Sequence, residues 1–330
     1  MTSPPGKQVS FGTVSTATLP RSEHSNPERP QPYYAFSSSK WQPITTPSPL
    51  PTSLPGPIKL ITWNIDFRLP HETQRMTAAL AYLHTLILAL PSTVPAIIFL
   101  QEMVSTDLEI IKSTPWLQSS FHITDTSSEN WAHQYGTTTL IDKRLPISSV
   151  FRRRYISKMG RDALFVDIRD TTKCIRFCNT HLESLIARPA LRPAQVKLAS
   201  GYLHDADGGV IVGDFNAIEA FDGRLHVENG LKDAYLENGG VEGEERGWTW
   251  GMQSGEEGRR YGCSRMDKVM FCGRVEVRGL ERIGEGVKVR VDEEGEDEDE
   301  DDEDEWEVDL EVGERWVTDH LGLMADLHIL

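Results

Sequence analysis

The sequence predicts an α/β fold, a four-layer sandwich of two packed mixed sheets flanked by helices. Three observations predict it. Apolar runs of strand length recur from Ile58 to the end of the chain. Stretches of helical period fall between some of them, which mixes a few helices with many strands. Six of the runs abut polar or ionisable residues, which puts chemistry at the ends of strands. No internal repeat is visible, although a sandwich of two similar halves would conceal one.

The elements follow in chain order. Ile58-Lys59-Leu60-Ile61-Thr62-Trp63 reads as a strand and runs into Asn64-Ile65-Asp66. Glu72 to Leu90 has a helical period through Met76, Leu80, Leu83, Ile87 and Leu90, and Pro91 stops it. Ile97-Ile98-Phe99-Leu100 is the next apolar run, followed by Gln101-Glu102. Thr106 to Leu117 reads as a shorter helix. The runs from Thr137 to Ile141, Ile147 to Arg152, Ala163 to Ile168 and Lys173 to Thr180 read as strands, with Pro146 turning the chain after the first. The last of these leads into His181-Leu182-Glu183-Ser184, and Leu191 to His204 reads as a helix. Val210-Ile211-Val212 is a short buried strand that ends in Gly213-Asp214-Phe215-Asn216. Asp267-Lys268 precedes Val269-Met270-Phe271. Trp316-Val317-Thr318 precedes Asp319-His320, and Leu321 to Leu330 is a closing strand.

Asp214 and Asn216, at alternate positions, aim a carboxylate and an amide from one strand end. Such a pair suits a hard cation or a phosphate-bound water. Each cluster taken singly has a structural explanation. Asn64 can cap a turn, Glu102 can be an exposed acid, and His181 can be a satisfied structural histidine. Asp267 can pair with Lys268 or Arg265, and Asp319-His320 can be a loop pair. Six clusters in order, with no Cys/His zinc spacing, point to one centre instead. Oxygen donors dominate it, which favours magnesium, with manganese as a substitute, over zinc. Glu102 reads as the primary ligand, with Asn64, Asp66 and Asp319 beside it. Asp214 can orient or deprotonate an attacking water, and Asn216 can hold that water in line. His320 suits a phosphate-facing group whose tautomer and charge an acid such as Asp267 would fix. His181 reads as a second cationic donor. The chain has no Gly-x-Ser-x-Gly, no Cys-x5-Arg and no Walker loop, which argues for direct attack by water on phosphorus.

With these residues in place the chain resembles the endonuclease/exonuclease/phosphatase superfamily of DNase I-like fold. The matching pieces are Thr62-Trp63-Asn64-Ile65-Asp66, Leu100-Gln101-Glu102, Thr180-His181-Leu182-Glu183-Ser184, Gly213-Asp214-Phe215-Asn216, Arg265-Met266-Asp267-Lys268-Val269 and Thr318-Asp319-His320-Leu321-Gly322-Leu323. Within it the chain looks most like the tyrosyl-DNA phosphodiesterase type 2 branch. His181-Leu182-Glu183-Ser184 is followed by Arg192 and Gln195 on a helix. Met159-Gly160-Arg161-Asp162-Ala163-Leu164 and Trp248-Thr249-Trp250 resemble two further segments of that branch. The resemblance implies magnesium-dependent hydrolysis of the 5′-phosphodiester that joins DNA to a topoisomerase tyrosine, a step of DNA repair. It implies that Asn64, Glu102, Asp214, Asn216, Asp319 and His320 are the catalytic and metal residues, and that His181 contacts the phosphate. Tyr135, Arg161, Ser184, Arg192, Trp248 and Trp250 are candidate substrate groups, since aromatics stack on splayed bases and arginine grips phosphate. One departure is Ile218, where the branch tends to carry an arginine.

Composition bounds the rest. Hydrophobic residues make up 38% of the chain, low for full order, and two segments account for it. Met1 to about Pro57 is rich in Pro, Ser and Thr and reads as a largely disordered segment before a domain over 58–330. Within it Tyr33-Tyr34-Ala35-Phe36 and Trp41 are expected to dock on the domain or on a partner. Asp292 to Glu305 holds thirteen acids in fourteen residues. Without them the formal net charge of −16 falls to −3, so overall acidity does not argue against a nucleic-acid substrate. The run reads as a disordered insert, either a solvated loop, an electrostatic gate or a tail for basic proteins. Four cysteines without Cys-x2-Cys spacing, and no apolar leader or membrane-length run, lead us to expect reduced thiols in an intracellular monomer, nuclear or cytoplasmic. Nucleic acid, as a DNA 5′ end or a protein–DNA adduct, is the expected partner. The alternatives are an abasic-site endonuclease, an RNA exonuclease or deadenylase, or a phosphoinositide or sphingolipid phosphatase, because loops choose the leaving group. A non-catalytic scaffold using the acidic insert is the remaining alternative.

Overall fold

In the computed structural model, which describes residues 27–45, 49–291 and 313–330, two mixed sheets pack face to face. The seven-stranded sheet runs Arg29–Pro30, Ile147–Arg154, Asp162–Arg169, Cys174–His181, Gly208–Asp214, Asp267–Gly273, Lys232–Asp233. The eight-stranded sheet runs Val275–Ile283, Gly322–Ile329, Ile58–Asn64, Ala96–Met103, Gly136–Asp142, Phe121–Ile123, Tyr33–Ser37, Lys40–Ile44. This is the DNase I-like sandwich expected from the sequence.

The two sheets are built alike at their centres. Each has one parallel pair flanked by antiparallel neighbours. In one, helix Glu72–Ala89 crosses from Ile58–Asn64 to Ala96–Met103; in the other, helix Arg192–His204 crosses from Cys174–His181 to Gly208–Asp214. Parallel neighbours need such a crossover, and both of their carboxyl ends then fall on one side. The central strands are rich in apolar residues because both faces are covered. Leu60, Phe99, Phe177 and Val210 pack between the sheets. The alternate residues Ile61, Ile98 and Leu100 pack under Met76, Leu80 and Leu83 of the first helix. Cys178 and Ile211 pack under Val196, Ala199 and Leu203 of the second. The four cysteines are free thiols, and among the described residues no helix is long and apolar enough to cross a membrane.

Two differences from the sequence reading concern elements. The helix expected from Thr106 to Leu117 is two, Ser105–Ser113 and Pro115–Ser120, because Thr114 before Pro115 is extended. The domain also begins before Ile58. Arg29–Pro30 pairs with Ile147–Arg154, and the hairpin Tyr33–Ser37 with Lys40–Ile44 joins the larger sheet through Tyr34 and Ile123. Trp41 Nε1 donates to Lys112 O at 3.0 Å. The aromatic patch therefore docks on the domain; its short strands carry too few apolar residues to register as a period. Residues 1–26 and the acidic insert 292–305 lie outside the described residues. The insert's flanks, Lys288–Arg290 and Glu314–Trp316, pair as a hairpin.

One buried cation braces the site end of the larger sheet. Arg75 lies on the buried face of its helix with Ala79 and Leu83. Its guanidinium donates to Ile65 O, Val317 O, Asp66 O and Leu69 O at 2.7–2.8 Å and to Pro70 O at 2.9 Å. It thus ties the loop after Ile58–Asn64 to the segment before Asp319. Arg75→Ala leaves those buried carbonyls unpaired and should cost about 3–5 kcal/mol. A denaturant melt checks this, and a loss under about 1 kcal/mol would refute the brace.

Candidate active site

The carboxyl ends of the two parallel pairs meet across the sandwich. Gln101 Nε2 of one sheet donates to Asn179 Oδ1 of the other at 2.8 Å, just beneath the cluster. Above it, Asn64 Nδ2 donates to Asp214 Oδ2 at 3.0 Å and to Glu102 Oε1 at 3.1 Å. His181 Nε2 stands 3.5 Å from Glu102 Oε1 and 3.4 Å from Asp214 Oδ2. His320 Nε2 stands 3.8 Å from Asp214 Oδ2 and 3.8 Å from Asp319 Oδ1. Asn216 N donates to Asp214 Oδ1 at 2.7 Å, and its side chain reaches Asp214 Oδ2 at 3.3 Å and Leu182 O at 3.2 Å.

The backbone is strained where it delivers these groups. Asp66, Glu102 and Asn216 all have positive φ, 58°, 56° and 47°. Glu102 sits in an irregularity between Leu100 and Met103 that turns its side chain toward the cluster. Gly213 has φ 135°, and a Cβ there would stand 1.9 Å from Thr180 O. Only glycine lets the two strands close at that point.

The two histidines are in opposite states. His320 Nδ1 is 2.8 Å from Asp267 Oδ2. Burial opposes its charge, but Asp267, Asp319 and Asp214 outweigh burial and hold it well above the ordinary imidazole range. His320 is therefore an imidazolium with Nε2–H toward the cluster. His181 Nδ1 is 2.6 Å from Arg161 Nη1. A guanidinium can only donate, so Nδ1 accepts and the proton sits on Nε2. Burial, then Arg161 and His320, push His181 well below the ordinary range. The cationic role expected for His181 is thus corrected: it is a neutral Nε2–H donor between two carboxylates.

The acids crowd together on the other side. Burial, then repulsion from Asp66, raises the Glu102 carboxyl. Burial, Asp66 and Glu102 push Asp319 up to about 8 against His320 and Arg68. Two groups of donor atoms lie within 4.8 Å of one another, Glu102–His181–Asp214 and Asp214–Asp267–His320. Charged His320 and Nε2-protonated His181 have no lone pair toward the centre, so the usable donors are oxygens. That donor set fits a hard divalent cation held by Glu102, with Asp66, Asp214 and Asp319 near it.

A family model described as the Endonuclease/Exonuclease/phosphatase family matches residues 61–320. The chain belongs to this family. Its description spans endonucleases, exonucleases and phosphatases, all hydrolases of phosphate esters. Solved structures share the fold. A D. rerio TDP2 humanized by 14 mutations aligns at TM-score 0.61 and 17% identity, over 82% of this chain and 99% of that one. A truncated Caenorhabditis elegans TDP2 aligns at 0.59 and 21%, over 82% and 97%. D. rerio TDP2 complexed with single strand DNA product aligns at 0.60 and 17%, over 82% and 99%. The resemblance to the tyrosyl-DNA phosphodiesterase type 2 branch thus reappears among the structural neighbours. No curated protein matches the chain by sequence.

The structure brings Asn64, Asp66, Glu102, His181, Asp214, Asn216, Asp267, Asp319 and His320 together at one end of the sandwich. The expected substrate groups divide. Half-buried Tyr135 lies 6.3 Å from His181, centroid to centroid, and stacks on Phe67 at 4.1 Å with Arg161 over its face. Arg161 is buried behind His181 and orients it. Arg192 is a correction. It is buried, pairs with Asp222 at 2.8 Å and Glu219 at 3.1 Å, and donates to Glu183 O and Leu185 O, so it braces loops. Trp250 is buried as well, and its Nε1 holds Asp319 Oδ2 at 2.7 Å instead of stacking on a base. Ser184 and Trp248 are half-buried and neither side chain joins the cluster. Phe67, Arg68 and Arg75 were missed by sequence reasoning. Arg75 carried a signal, a charge in register with Ala79 and Leu83 on an apolar helix face.

Proposed function

We propose that the chain is a magnesium-dependent phosphodiesterase that acts on a DNA 5′ end, a tyrosyl adduct above all, in DNA repair. One observation carries the reaction type: His320, held cationic by Asp267, faces Asp214 and Asn64 beside the acids Glu102, Asp66 and Asp319. Magnesium bound by those oxygens would neutralise the phosphate and polarise its ester bond. Asp214, fixed by Asn64 and Asn216, orients a water and accepts its proton. His320 and His181 aim Nε2–H groups at the charge that develops on the phosphate oxygens. The cluster brings no Ser, Thr or Tyr hydroxyl and no Cys thiol to its centre, and this reading takes a water held by Asp214 and Asn216 as the nucleophile.

The substrate reading rests on the mouth of the site. The stacked pair Phe67–Tyr135 offers an aromatic slab beside His181, which suits an unpaired terminal base. The DNA product seen with D. rerio TDP2 agrees with it. A panel tests the choice: a 5′-tyrosyl single-stranded oligonucleotide, an abasic duplex, poly(A) and a phosphoinositide, each with magnesium. The tyrosyl oligonucleotide should be cut with the highest kcat/KM. Preference for another member replaces the substrate, and hydrolysis of none favours the scaffold alternative.

A further inference from the structure

Arg68 combines a guanidinium, solvent access and direct contact with the acid cluster. Its side chain is 53% exposed, whereas Asp66 and Asp319 are 2% and 8% exposed. Nε lies 3.5 Å from Asp66 Oδ1, and Nη2 lies 3.6 Å from Asp319 Oδ2. From outside, Glu257 of the segment Gly255–Tyr261 faces the same guanidinium as a fork, both contacts at 3.4 Å. All four contacts are long for charge-assisted bonds, so each is readily exchanged. Arginines beside it are committed at shorter range: Arg161 to His181 at 2.6 Å, Arg75 to Ile65 O and Val317 O at 2.7 Å, and Arg192 to Asp222 at 2.8 Å. In the chain Arg68 directly follows Phe67, one ring of the aromatic slab.

We infer that Arg68 grips the phosphate next to the scissile one, exchanging Asp66 and Asp319 for it once those carboxylates are engaged in holding the divalent ion. This rests on the phosphodiesterase reading above. Arg68 contacts Asp66 and Asp319 on the solvent side and contacts neither His181 nor Asp214. A phosphate seated against His320 and His181 therefore leaves the guanidinium facing the next one along a strand. The planar fork fits two phosphate oxygens, a match that lysine lacks. The substrate class is accordingly a strand with at least two successive phosphates, not a lone phosphodiester.

The test compares wild type, Arg68→Ala, Arg68→Lys and Glu257→Gln. With a 5′-tyrosyl oligonucleotide, Arg68→Ala should raise KM about tenfold, the size of one charge-assisted contact, with kcat within about twofold. With bis-p-nitrophenyl phosphate, which has no neighbouring phosphate, KM should not change. Arg68→Lys should fall between. Glu257→Gln removes only the outer tie, so its oligonucleotide KM should hold or fall. A second arm needs no turnover: Mn2+ binding by EPR should tighten about threefold or more in Arg68→Ala, because a competing cation leaves the carboxylates. An unchanged oligonucleotide KM, an equal rise on bis-p-nitrophenyl phosphate, or weaker Mn2+ binding would overturn the inference and leave a brace. Should wild type cut neither compound, the phosphodiesterase reading falls instead. Anisotropy with an uncleaved 5′-phosphorylated oligonucleotide, plus the Mn2+ arm, then decides Arg68 alone.

Discussion

His320→Ala should lower kcat by about 10³-fold on a 5′-tyrosyl oligonucleotide, while far-UV CD stays close to wild type and the melting transition falls by only several degrees. The size follows from what the side chain supplies. Its imidazolium is fixed by Asp267 at 2.8 Å, is buried, and presents Nε2–H toward Asn64 and Asp214. A fixed charge in a water-poor site needs no reorganisation when the phosphate gains charge, so its loss falls on the chemical step. The fold survives because burial already raises the Asp267 carboxyl, which takes a proton once its partner is gone. Asp267→Asn separates charge from mere presence. Activity that needs a charged His320 is lost as pH rises through its pKa. Removing Asp267 takes away the leading charge that holds that pKa up, so the alkaline limb of the pH–rate profile moves toward neutrality. Near-wild-type turnover in His320→Ala, or an unmoved limb in Asp267→Asn, would show that the imidazolium is not the phosphate-facing group.

The parts of this molecule that were legible in its sequence share a physical cause. Strands such as Ile58–Asn64 and Gly208–Asp214 are covered on both faces, so they read as largely apolar runs, and their ends advertise the site. Helix Glu72–Ala89 was legible for the complementary reason, a one-sided apolar period. Strand Val275–Ile283 was not. It lies at a sheet edge, and Glu276, Arg278, Glu281 and Arg282 break up its apolar residues. The site divides the same way. Residues fixed by backbone placement, such as Asp214 and Asn216, were visible as a motif. Residues whose meaning depends on a remote partner were not. Arg192 and Trp250 are buried by Asp222 and Asp319, 30 and 69 residues away, and no local pattern announces that. The charge state of His181 likewise depends on Arg161, which strand pairing and not sequence proximity brings to it.

Removing the divalent ion should make the protein unstable toward alkali, and restoring it should reverse the effect. Asp319 titrates near 8 in the fold because burial and its neighbours Asp66 and Glu102 disfavour its charge. Its unfolded value is about 3.9. A folded pKa above the unfolded one means that the fold holds a proton that the unfolded chain has lost. The resulting stability is full below about pH 4 and is lost as pH rises through about 8. His320, also raised in the fold, adds with the same sign, since its charge too is lost only at a pH above the ordinary imidazole range. Melts in EDTA should therefore show stability falling between pH 6 and pH 9 by a few kcal/mol, roughly 5–10 °C for a domain of this size. Magnesium should flatten that slope, because bound oxygens no longer repel one another, and its binding at pH 7 should release about one proton. Asp319→Asn should lose most of the slope even in EDTA and gain little from magnesium. A flat EDTA profile in the wild type would mean that the crowding of Asp66, Glu102 and Asp319 costs the fold nothing. It would remove the electrostatic argument that these three acids, and not the two histidines, hold the ion.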